Sequence, residues 1–297
     1  MSRRRDLLVA AARLGNRLGA TPVDTRYELT RPGRRLRPQS ESVHKAVQGK
    51  VVLVTGASSG IGRATAVHAA AAGATLLCVA RSEDLLGELV DQINGTGGTA
   101  YSYRCDLTDL EQIDALVTKV LDRHDHVDIL VNNAGMSIRR KVRHSADRFQ
   151  DFERPMQLNY FAAVRLTMGL LPRMVERESG QVVNVSSWAA VLRPARFSGY
   201  TASKAALEAW SDSVQGEVYD DGIVFSNVRM PLVRTPMIEP TKIYRQVPAL
   251  SMDEAAEVIC DVMVSRSRRV TPLFSGLPGL VDLISPRAAD RIRKNAV

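Results

Sequence analysis

The sequence is poor in cysteine, and its three cysteines, Cys78, Cys105 and Cys260, show no paired spacing. Such a chain has no disulfide framework, so we expect it to work in a reducing compartment, the cytoplasm. The five histidines form no His-Glu-x-x-His motif and no cluster with cysteine, so we predict no catalytic metal. No apolar run reaches the roughly 20 residues that a helix needs to span a bilayer.

Aromatic residues are also scarce, at 5% of the chain, whereas positive charge is concentrated at one end. Residues 1–50 hold twelve Lys/Arg and four Asp/Glu, and the rest of the chain holds equal numbers of the two signs. The net charge of +8 therefore lies within residues 1–50. We predict no nucleic-acid partner, because no aromatic platform or binding motif accompanies this charge.

The early part of the N-terminal arm, residues 1–48, has the pattern of an amphipathic helix. Residues 6–18 place Leu7, Ala11, Leu14 and Leu18 on one helical face. A basic amphipathic helix can lie on an anionic membrane surface, so the arm predicts a peripheral membrane contact. The alternative is a docking helix followed by a solvated linker.

A glycine-rich turn follows the arm. Residues 50–55 are apolar and rich in β-branched side chains, as in a strand buried on both faces, and residues 63–70 are good helix formers. Between them, Gly56, Gly60 and Gly62 follow a Gly-x-x-x-Gly-x-Gly spacing. Glycine lets the backbone approach a pyrophosphate, and a helix N-terminus favours an anion. The turn predicts a dinucleotide site, and the alternative is an ordinary strand-to-helix turn.

Arg81 follows the next predicted strand, residues 75–80. NAD-binding domains commonly carry an acid at this point, about 20 residues after the glycines, to hold the ribose hydroxyls. An arginine can instead pair with a 2′-phosphate through bidentate, charge-assisted bonds. We therefore predict NADPH (NADP) as the cofactor, and the alternative is a surface arginine that opens the next helix.

Ser187, Tyr200 and Lys204 form a second motif, in which the tyrosine and the lysine are one helical turn apart. Ser187 follows a predicted buried strand, residues 181–186, and open α/β sheets bind ligands at the carboxyl ends of their strands. A free tyrosine has a pKa of about 10, which a nearby ammonium lowers towards the working range of an acid–base group. These residues predict proton transfer to a carbonyl oxygen that Ser187 polarises.

Together the motifs resemble the short-chain dehydrogenase/reductase family, over residues 49–237. The resemblance implies an NAD(P)-dependent oxidoreductase with a Rossmann-type doubly wound parallel sheet. It adds Asn159 to the proton relay, Asp106 as a contact of the adenine, and residues 231–237 as the loop beside the nicotinamide. That loop departs from the family, which mostly has Pro-Gly where this chain has Pro231-Leu232, so a leucine side chain must find room there.

The motifs and the resemblance give two sets of site residues. The predicted catalytic residues are Asn159, Ser187, Tyr200 and Lys204. The predicted cofactor-binding residues are Gly56, Ser58, Ser59, Gly60, Ile61, Gly62, Arg81, Asp106, Leu107, Asn133, Ala134, Gly135, Tyr200, Lys204, Pro231, Val233 and Thr235.

Several stretches outside these motifs are similar to the bacterial, aldehyde-forming fatty acyl-CoA reductases. They are residues 132–140, 147–154, 156–161, 230–238 and 240–244. This resemblance implies reduction of a long-chain fatty acyl-CoA to an aldehyde. The alternative activity is an NADP(H)-dependent ketone or β-ketoacyl reductase, or a secondary-alcohol dehydrogenase. A cofactor-binding scaffold without catalysis is disfavoured, because it has no need of the four catalytic residues.

The order of predicted elements defines the organisation of the chain. Strands and helices alternate, which predicts a doubly wound parallel sheet. We divide the chain into a basic arm, residues 1–48, a dinucleotide-binding and catalytic domain, residues 49–240, and a substrate-side C-terminal extension, residues 241–297. The tail of that extension either covers the substrate mouth or forms a subunit contact. We also expect a homo-oligomer, a dimer or a tetramer.

Three smaller features complete the predictions. Residues 108–111 read as a capping box that opens a helix ending near His124, and residues 251–254 read as a second one. Pro155 is predicted to start the long helix that carries Asn159. The basic run of residues 139–143 is a candidate for binding the phosphates of coenzyme A, and the alternatives are a solvated helix start or a subunit contact.

Overall fold

A parallel β-sheet organises the protein, with helices packed on both of its faces. The computed structural model describes residues 26–27, 40–239, 241–272, 281–282 and 284–295. The strands of this described part are β1 (Arg26–Tyr27), β2 (Val51–Thr55), β3 (Thr75–Ala80), β4 (Thr99–Arg104), β5 (Ile129–Asn132), β6 (Gly180–Ser187), β7 (Ile223–Met230) and β8 (Arg269–Pro272).

The helices of the described residues fill the connections between these strands. They are α1 (Ser40–Val47), α2 (Gly60–Ala71), α3 (Glu83–Gly95), α4 (Leu110–His124), α5 (Gln150–Met156), α6 (Ala162–Glu176), α7 (Ala189–Leu192), α8 (Ser198–Glu217), α9 (Met252–Ser265) and α10 (Pro286–Asn295). A π-helical turn, Gln157–Phe161, joins α5 to α6, and short 3₁₀ turns cover Val142–His144 and Lys242–Gln246.

The strand order across the sheet is β1-β8-β7-β6-β5-β2-β3-β4, and all the pairs are parallel. After β2 the chain adds β3 and β4 on one side of the sheet. It then returns to β5, on the other side of β2, and adds β6, β7 and β8 in the opposite direction. This reversal creates a crevice beyond the carboxyl ends of β2 and β5, where doubly wound sheets bind their ligands. The predicted Rossmann-type fold is confirmed.

Burial on both faces explains why the strands are so apolar. In β2, Val52 and Val54 pack into a core beneath α2, α3 and α9, whereas Leu53 packs into the core beneath α4, α6 and α8. Successive side chains of a strand point to opposite faces, so a strand covered on both sides needs apolar residues at every position.

Three polar residues are buried at the centre of this apolar sheet. Asn132 on β5, Asn184 on β6 and Asn227 on β7 stand side by side in register. Asn132 Nδ2 donates to Asn184 Oδ1 at 3.0 Å, and Asn184 Nδ2 donates to Asn227 Oδ1 at 3.1 Å. Thr167 and Ser211 close the two ends of this asparagine ladder. The ladder connects the three strands whose carboxyl ends carry the candidate site.

Two helix starts differ from the prediction. The N-cap of α4 is Asp109, whose Oδ1 accepts from the backbone N–H groups of Glu111 and Gln112, and not Thr108. Thr108 lies one residue before this cap and donates its hydroxyl to Asp106. Pro155 lies inside α5 and does not start the long helix. A proline removes one backbone donor from a helix, and the π-helical turn follows at once.

The C-terminal part of the chain contributes directly to the sheet. The predicted capping box at the start of α9 is confirmed, with both reciprocal bonds between Ser251 and Glu254. This helix packs against α2, and β8 pairs with β7. Part of the predicted extension, residues 252–272, is therefore built into the sheet and its helix layer.

The basic arm falls largely outside this description. Apart from residues 26–27, the part of the arm before residue 40, including the predicted amphipathic helix of residues 6–18, lies outside the described residues. Among the residues that are described, no helix has both the length and the apolar character to cross a membrane.

Candidate active site

The glycine turn between β2 and α2 forms a narrow cradle. Gly56 has a φ of +64°, and a Cβ atom there would lie 3.0 Å from Asn133 Nδ2 and from the Cα of Ala134. A Cβ at Gly62 would lie only 2.4 Å from Asn133 Nδ2 and from the Gly56 carbonyl oxygen. Side chains are therefore excluded at both positions, so only glycine fits this turn.

The start of α2 leaves room for an anion. Ser59 is its N-cap but makes no side-chain capping bond, and the first turn holds no acidic residue. Backbone N–H groups at a helix start carry partial positive charge and suit a phosphate. The residues present therefore fit the pyrophosphate of a dinucleotide.

Asn133 and Ala134 are fixed to the end of β2. Their backbone N–H groups both donate to Thr55 Oγ1 at 3.0 Å, and Asn133 Nδ2 donates to the Thr55 carbonyl oxygen at 2.9 Å. These bonds join the two strand ends that border the crevice. Asn133 thus holds the glycine turn and the Asn-Asn-Ala-Gly turn together.

The loop after β7 closes over the glycine turn. A Cβ at Gly60 would lie 3.5 Å from Thr235 Cγ2, so the structure brings the predicted Thr235 to the turn. Val233 is buried and bridges to Leu250. Leu232, the departure from the family pattern, has a negative φ, and its carbonyl oxygen accepts from Leu250 N at 2.9 Å. The leucine is accommodated without backbone strain.

Arg81 and Asp106 meet at the carboxyl ends of β3 and β4. Arg81 is exposed, and its charge is one of the causes that lower the pKa of Asp106, after the hydrogen bonds from Thr108. Leu107 is buried in the core, so its side chain contributes packing at this edge. Arg81 is therefore an exposed cation at the carboxyl end of β3, close to Asp106.

Tyr200 and Ser187 come together across α8 and β6. Burial raises the pKa of the Tyr200 phenol, a hydrogen bond with Ser187 lowers it, and the nearby Tyr244 raises it. Ser187 Oγ also accepts from Ala189 N at 3.1 Å, which fixes the hydroxyl at the strand end. The expectation that Lys204 lowers the pKa of Tyr200 is wrong for this structure: burial is the largest cause and raises the pKa, and the group that lowers it is Ser187.

Lys204 is engaged elsewhere. Its Nζ donates to the Val185 carbonyl oxygen at 2.7 Å, and the side chain is buried. Burial lowers the pKa of Lys204 to about 8, and the charge of Glu208 opposes that shift. Gly135 lies beside the ammonium group, since a Cβ there would be 3.4 Å from Nζ.

Asn159 is held in the π-helical turn between α5 and α6. Its Oδ1 accepts from Met136 N at 2.8 Å, and its Nδ2 donates to the Met136 carbonyl oxygen at 3.0 Å and to Ser203 Oγ at 2.8 Å. A Cβ at Gly135 would lie 3.2 Å from Asn159 Oδ1, so Asn159 and Lys204 flank the same glycine. A π-helical turn is a frequent feature of functional sites.

Sequence reasoning missed several neighbours of this site. Ser203 donates to the Tyr200 carbonyl oxygen at 2.8 Å and receives the Asn159 amide. Tyr244, on the 3₁₀ turn Lys242–Gln246, is near enough to raise the pKa of Tyr200, and Arg234 holds this turn by donating to the Tyr244 carbonyl oxygen at 2.5 Å. The sequence could have indicated Ser203, because it stands between Tyr200 and Lys204 in their motif. No local pattern indicates that Tyr244 acts on Tyr200.

The cysteines are not candidates for a nucleophile. All three are buried, and burial raises the pKa of Cys78 to about 12, of Cys260 to about 12 and of Cys105 to about 11. A thiol is reactive as the thiolate, so these groups are inert at neutral pH. All three cysteines belong to the hydrophobic core.

A nucleotide cradle at the switch point and a Ser–Tyr–Lys group beside it define a class of protein, the nicotinamide-dependent oxidoreductases. Comparison with known proteins narrows this class. Residues 50–245 match the family described as short chain dehydrogenase. The chain belongs to that family and is an NAD(P)-dependent oxidoreductase that acts on a small-molecule substrate.

Two similar proteins share a printed name. The chain is 51% identical over 240 residues to a fatty acyl-CoA reductase of Acinetobacter baylyi. This match covers 81% of this chain and 81% of that protein. It is 46% identical over 240 residues to a fatty acyl-CoA reductase of Mycobacterium tuberculosis, with 80% of this chain and 82% of that protein covered.

Solved structures support the same family. A short-chain dehydrogenase from Streptomyces avermitilis is 34% identical, with a TM-score of 0.70, over 81% of this chain and 96% of that one. A metagenomic short-chain oxidoreductase in complex with NADP is 29% identical, with a TM-score of 0.65, over 76% of this chain and 99% of that one.

Arg81→Asp is expected to reverse the cofactor preference. A carboxylate would repel a 2′-phosphate and accept hydrogen bonds from ribose hydroxyls, so NADH should bind more tightly than NADPH. Fluorescence titration of both cofactors measures the two affinities. Arg154→Asp, at an exposed arginine of α5, is the control and should leave the order unchanged. Tighter binding of NADH by the wild type would already refute this role of Arg81.

Proposed function

We propose that this protein reduces a long-chain fatty acyl-CoA to a fatty aldehyde with NADPH. The observation that carries the proposal is that the buried Lys204 and Asn159 flank Gly135, while Tyr200 lies close enough to Ser187 for the serine to lower its pKa. The acyl-CoA part is supported by two relatives named fatty acyl-CoA reductases, of which this chain spans more than two thirds.

NADPH, when bound, supplies the hydride for this reaction. The hydride adds to the carbonyl carbon of the thioester, and the electron pair of the C=O bond moves to its oxygen. Ser187 and Tyr200 donate hydrogen bonds to that oxygen as its negative charge develops, and Tyr200 transfers its proton to it. The product of this step is a hemithioacetal.

The hemithioacetal then breaks its carbon–sulfur bond. Its hydroxyl loses a proton, the C=O bond re-forms, and the sulfur leaves as the thiolate of coenzyme A, which takes up a proton. Tyr200, now a phenolate, can accept the hydroxyl proton, so that the phenol is restored. No covalent bond to the enzyme is needed, in agreement with the inert cysteines.

The preference for NADPH is supported by the exposed guanidinium of Arg81 at the end of β3. No acid stands at this position of the chain, and an arginine suits a phosphate better than a ribose hydroxyl. One structural relative was solved with NADP. The titrations of Arg81→Asp test this part of the proposal separately.

The basic run of residues 139–143 divides into two roles. Arg140 Nε donates to the buried Asp151 at 2.5 Å, and its backbone N–H donates to the Arg196 carbonyl oxygen, so Arg140 supports the loop. Arg139 is exposed, with its guanidinium 6.0 Å from the ring of Phe197, three residues before Tyr200. Arg143 is also exposed. We propose Arg139 and Arg143 as the cations that bind the phosphates of coenzyme A.

The double variant Arg139→Ala/Arg143→Ala is expected to raise the KM for acyl-CoA, because it removes two charge-assisted contacts to phosphate. The wild type should lose affinity more steeply with salt than the variant. NADPH affinity and turnover of a small aldehyde without coenzyme A should change little. Arg268→Ala/Arg269→Ala, at exposed arginines paired with Asp212, serves as the matched control. A proportional loss of both activities would mean that the run is structural.

A turnover screen tests the substrate class directly. Acyl-CoAs of several chain lengths, free aldehydes and ketones are incubated with NADPH, and the products are identified by mass spectrometry. Aldehyde and free coenzyme A from acyl-CoA support the proposal. Turnover of ketones or β-ketoacyl substrates alone would replace it with the alternative activity.

We further propose that the N-terminal arm associates with anionic lipid and that the protein is a dimer or a tetramer. The whole excess of positive charge lies in residues 1–50, almost all of it in the arm, and each basic residue near such a surface contributes about 1 kcal/mol. Removal of residues 1–40 should weaken liposome binding and leave turnover intact. Equal liposome binding by the full-length and the truncated protein would refute the membrane role. A monomeric mass in a sedimentation experiment would refute the proposed oligomer.

A further inference from the structure

A buried carboxylate lies directly behind the predicted catalytic lysine. Glu208 stands one helical turn after Lys204 on α8, as Lys204 stands one turn after Tyr200. The Glu208 side chain is 8% exposed, and a carboxylate at such a place is costly unless it is paired. Nothing in the proposed chemistry uses this group.

Glu208 has a fixed set of partners from two strands. Arg229 on β7 donates its Nη2 to Oε2 at 2.7 Å, and its Nε is shared between Oε2 at 3.0 Å and Oε1 at 3.2 Å. Ser186 on β6, the residue before Ser187, donates its hydroxyl to Oε1 at 2.5 Å. A bidentate arginine and a hydroxyl together hold a carboxylate in one geometry.

Glu208 and Lys204 contact adjacent residues of β6. Lys204 Nζ donates to the Val185 carbonyl oxygen at 2.7 Å, and the next residue, Ser186, donates its hydroxyl to Glu208. Burial alone would push the lysine towards its neutral form, and Glu208 is the charged group that raises the pKa of Lys204 against this effect, to a value of about 8. Without the carboxylate, the ammonium would be lost at a lower pH. Other polar and charged side chains also face this part of α8. Tyr200 comes from α8 itself, and the neighbouring elements contribute Ser186 on β6, Arg229 on β7, Asn159 on the π-helical turn, and Asp151 of α5 with Arg140 and Arg148.

We propose that Glu208 is a positioning residue for Lys204: held by Arg229 and Ser186 beside the strand that binds Lys204 Nζ, its carboxylate keeps the lysine charged at the site of reduction. The proposal rests on the proposed function in that it gives Lys204 a part in the reaction. In this arrangement, Ser186 on β6 and Arg229 on β7 hold Glu208, and Glu208 sets the charge state of Lys204 on α8.

Two variants that break the same ion pair separate this role from simple support of the fold. If turnover needs Lys204 in its charged form, turnover falls as the pH rises through the pKa of Lys204. This pKa then sets the alkaline limb of the plot of turnover against pH. Glu208→Gln removes the negative charge and should move the limb to lower pH by about 1 unit or more. Arg229→Gln keeps the carboxylate and should leave the limb in place or move it to higher pH. Glu208→Asp should restore most of the wild-type profile.

A structural role predicts that both variants lose activity alike, with the limb unmoved, and that result would overturn the proposal. If Glu208→Gln does not fold, the double variant Glu208→Gln/Arg229→Gln replaces it, since it leaves no unpaired buried charge. The alkaline limb of the double variant must still lie at a lower pH than that of the wild type, because Glu208 is the charged group that raises the pKa of Lys204.

A second measurement needs no substrate. Titration of the lysine side chains by NMR, with Lys204 assigned through Lys204→Arg, should show a lower pKa for Lys204 in Glu208→Gln than in the wild type. An unchanged pKa would refute the proposal. If the wild type reduces no carbonyl compound, the proposed function fails, and the titration still decides whether Glu208 controls the charge of Lys204.

Discussion

Tyr200→Phe is expected to lower turnover by about 10²–10⁴-fold, the usual contribution of a general acid–base group. The phenol lies at the end of β6 against Ser187 and is the group that can supply a proton to the substrate oxygen. Phenylalanine keeps the ring and its packing, so NADPH affinity should stay within a few-fold of the wild type. Stopped-flow reduction and a separate NADPH titration measure the two quantities.

The control is Tyr219→Phe, at a tyrosine that is 76% exposed just after α8. This variant removes the same hydroxyl from the same type of residue at a distance from the cradle, so turnover should not change. Turnover near the wild-type rate in Tyr200→Phe would end the assignment of the proton donor. Loss of NADPH binding in Tyr200→Phe would show that the Tyr200 hydroxyl supports the cofactor site instead.

Asn184→Leu is expected to cause the largest loss of stability among the substitutions considered. Asn184 is the central member of the asparagine ladder, and leucine would deprive both Asn132 and Asn227 of a partner in the core. A buried polar group left unsatisfied costs about 1–3 kcal/mol. Because Thr167 and Ser211 still reach the ends of the ladder, we expect the free energy of unfolding to fall by roughly 2–4 kcal/mol.

Urea denaturation measures this loss, with Thr167→Val as a matched comparison. Thr167 ends the ladder, so its valine variant removes a partner from Asn132 and leaves the bond between Asn132 and Asn184 in place. Its effect should be clearly smaller. Equal losses in the two variants would mean that the ladder contributes no more than any buried hydrogen bond.

The sequence predicted the elements that a local pattern can specify. The apolar run before Gly56, the glycine spacing and the pairing of Tyr200 with Lys204 depend on residues within a few positions of one another. Local patterns were less reliable at helix starts. Thr108 and Asp109 are both good capping residues, and only the structure shows that Asp109 is the N-cap.

The charge states of the site were beyond local reasoning. The sequence places an ammonium one turn from the Tyr200 phenol, which by itself predicts a lowered pKa. In the folded protein, burial raises that pKa, and Lys204 donates to Val185. Desolvation depends on everything that packs around a group, so it is a property of the fold and not of the spacing.

By itself, therefore, the sequence determined the doubly wound sheet, the nucleotide turn and the family's Ser–Tyr–Lys group, because each follows from periodicity or from residues close together in the chain. Only the tertiary structure decided that Arg140 supports a loop while Arg139 faces the solvent, that Tyr244 lies near Tyr200, and that Glu208 pairs with Arg229 behind Lys204. These contacts join residues on different strands and loops. Their partners are chosen by packing, which no local pattern records.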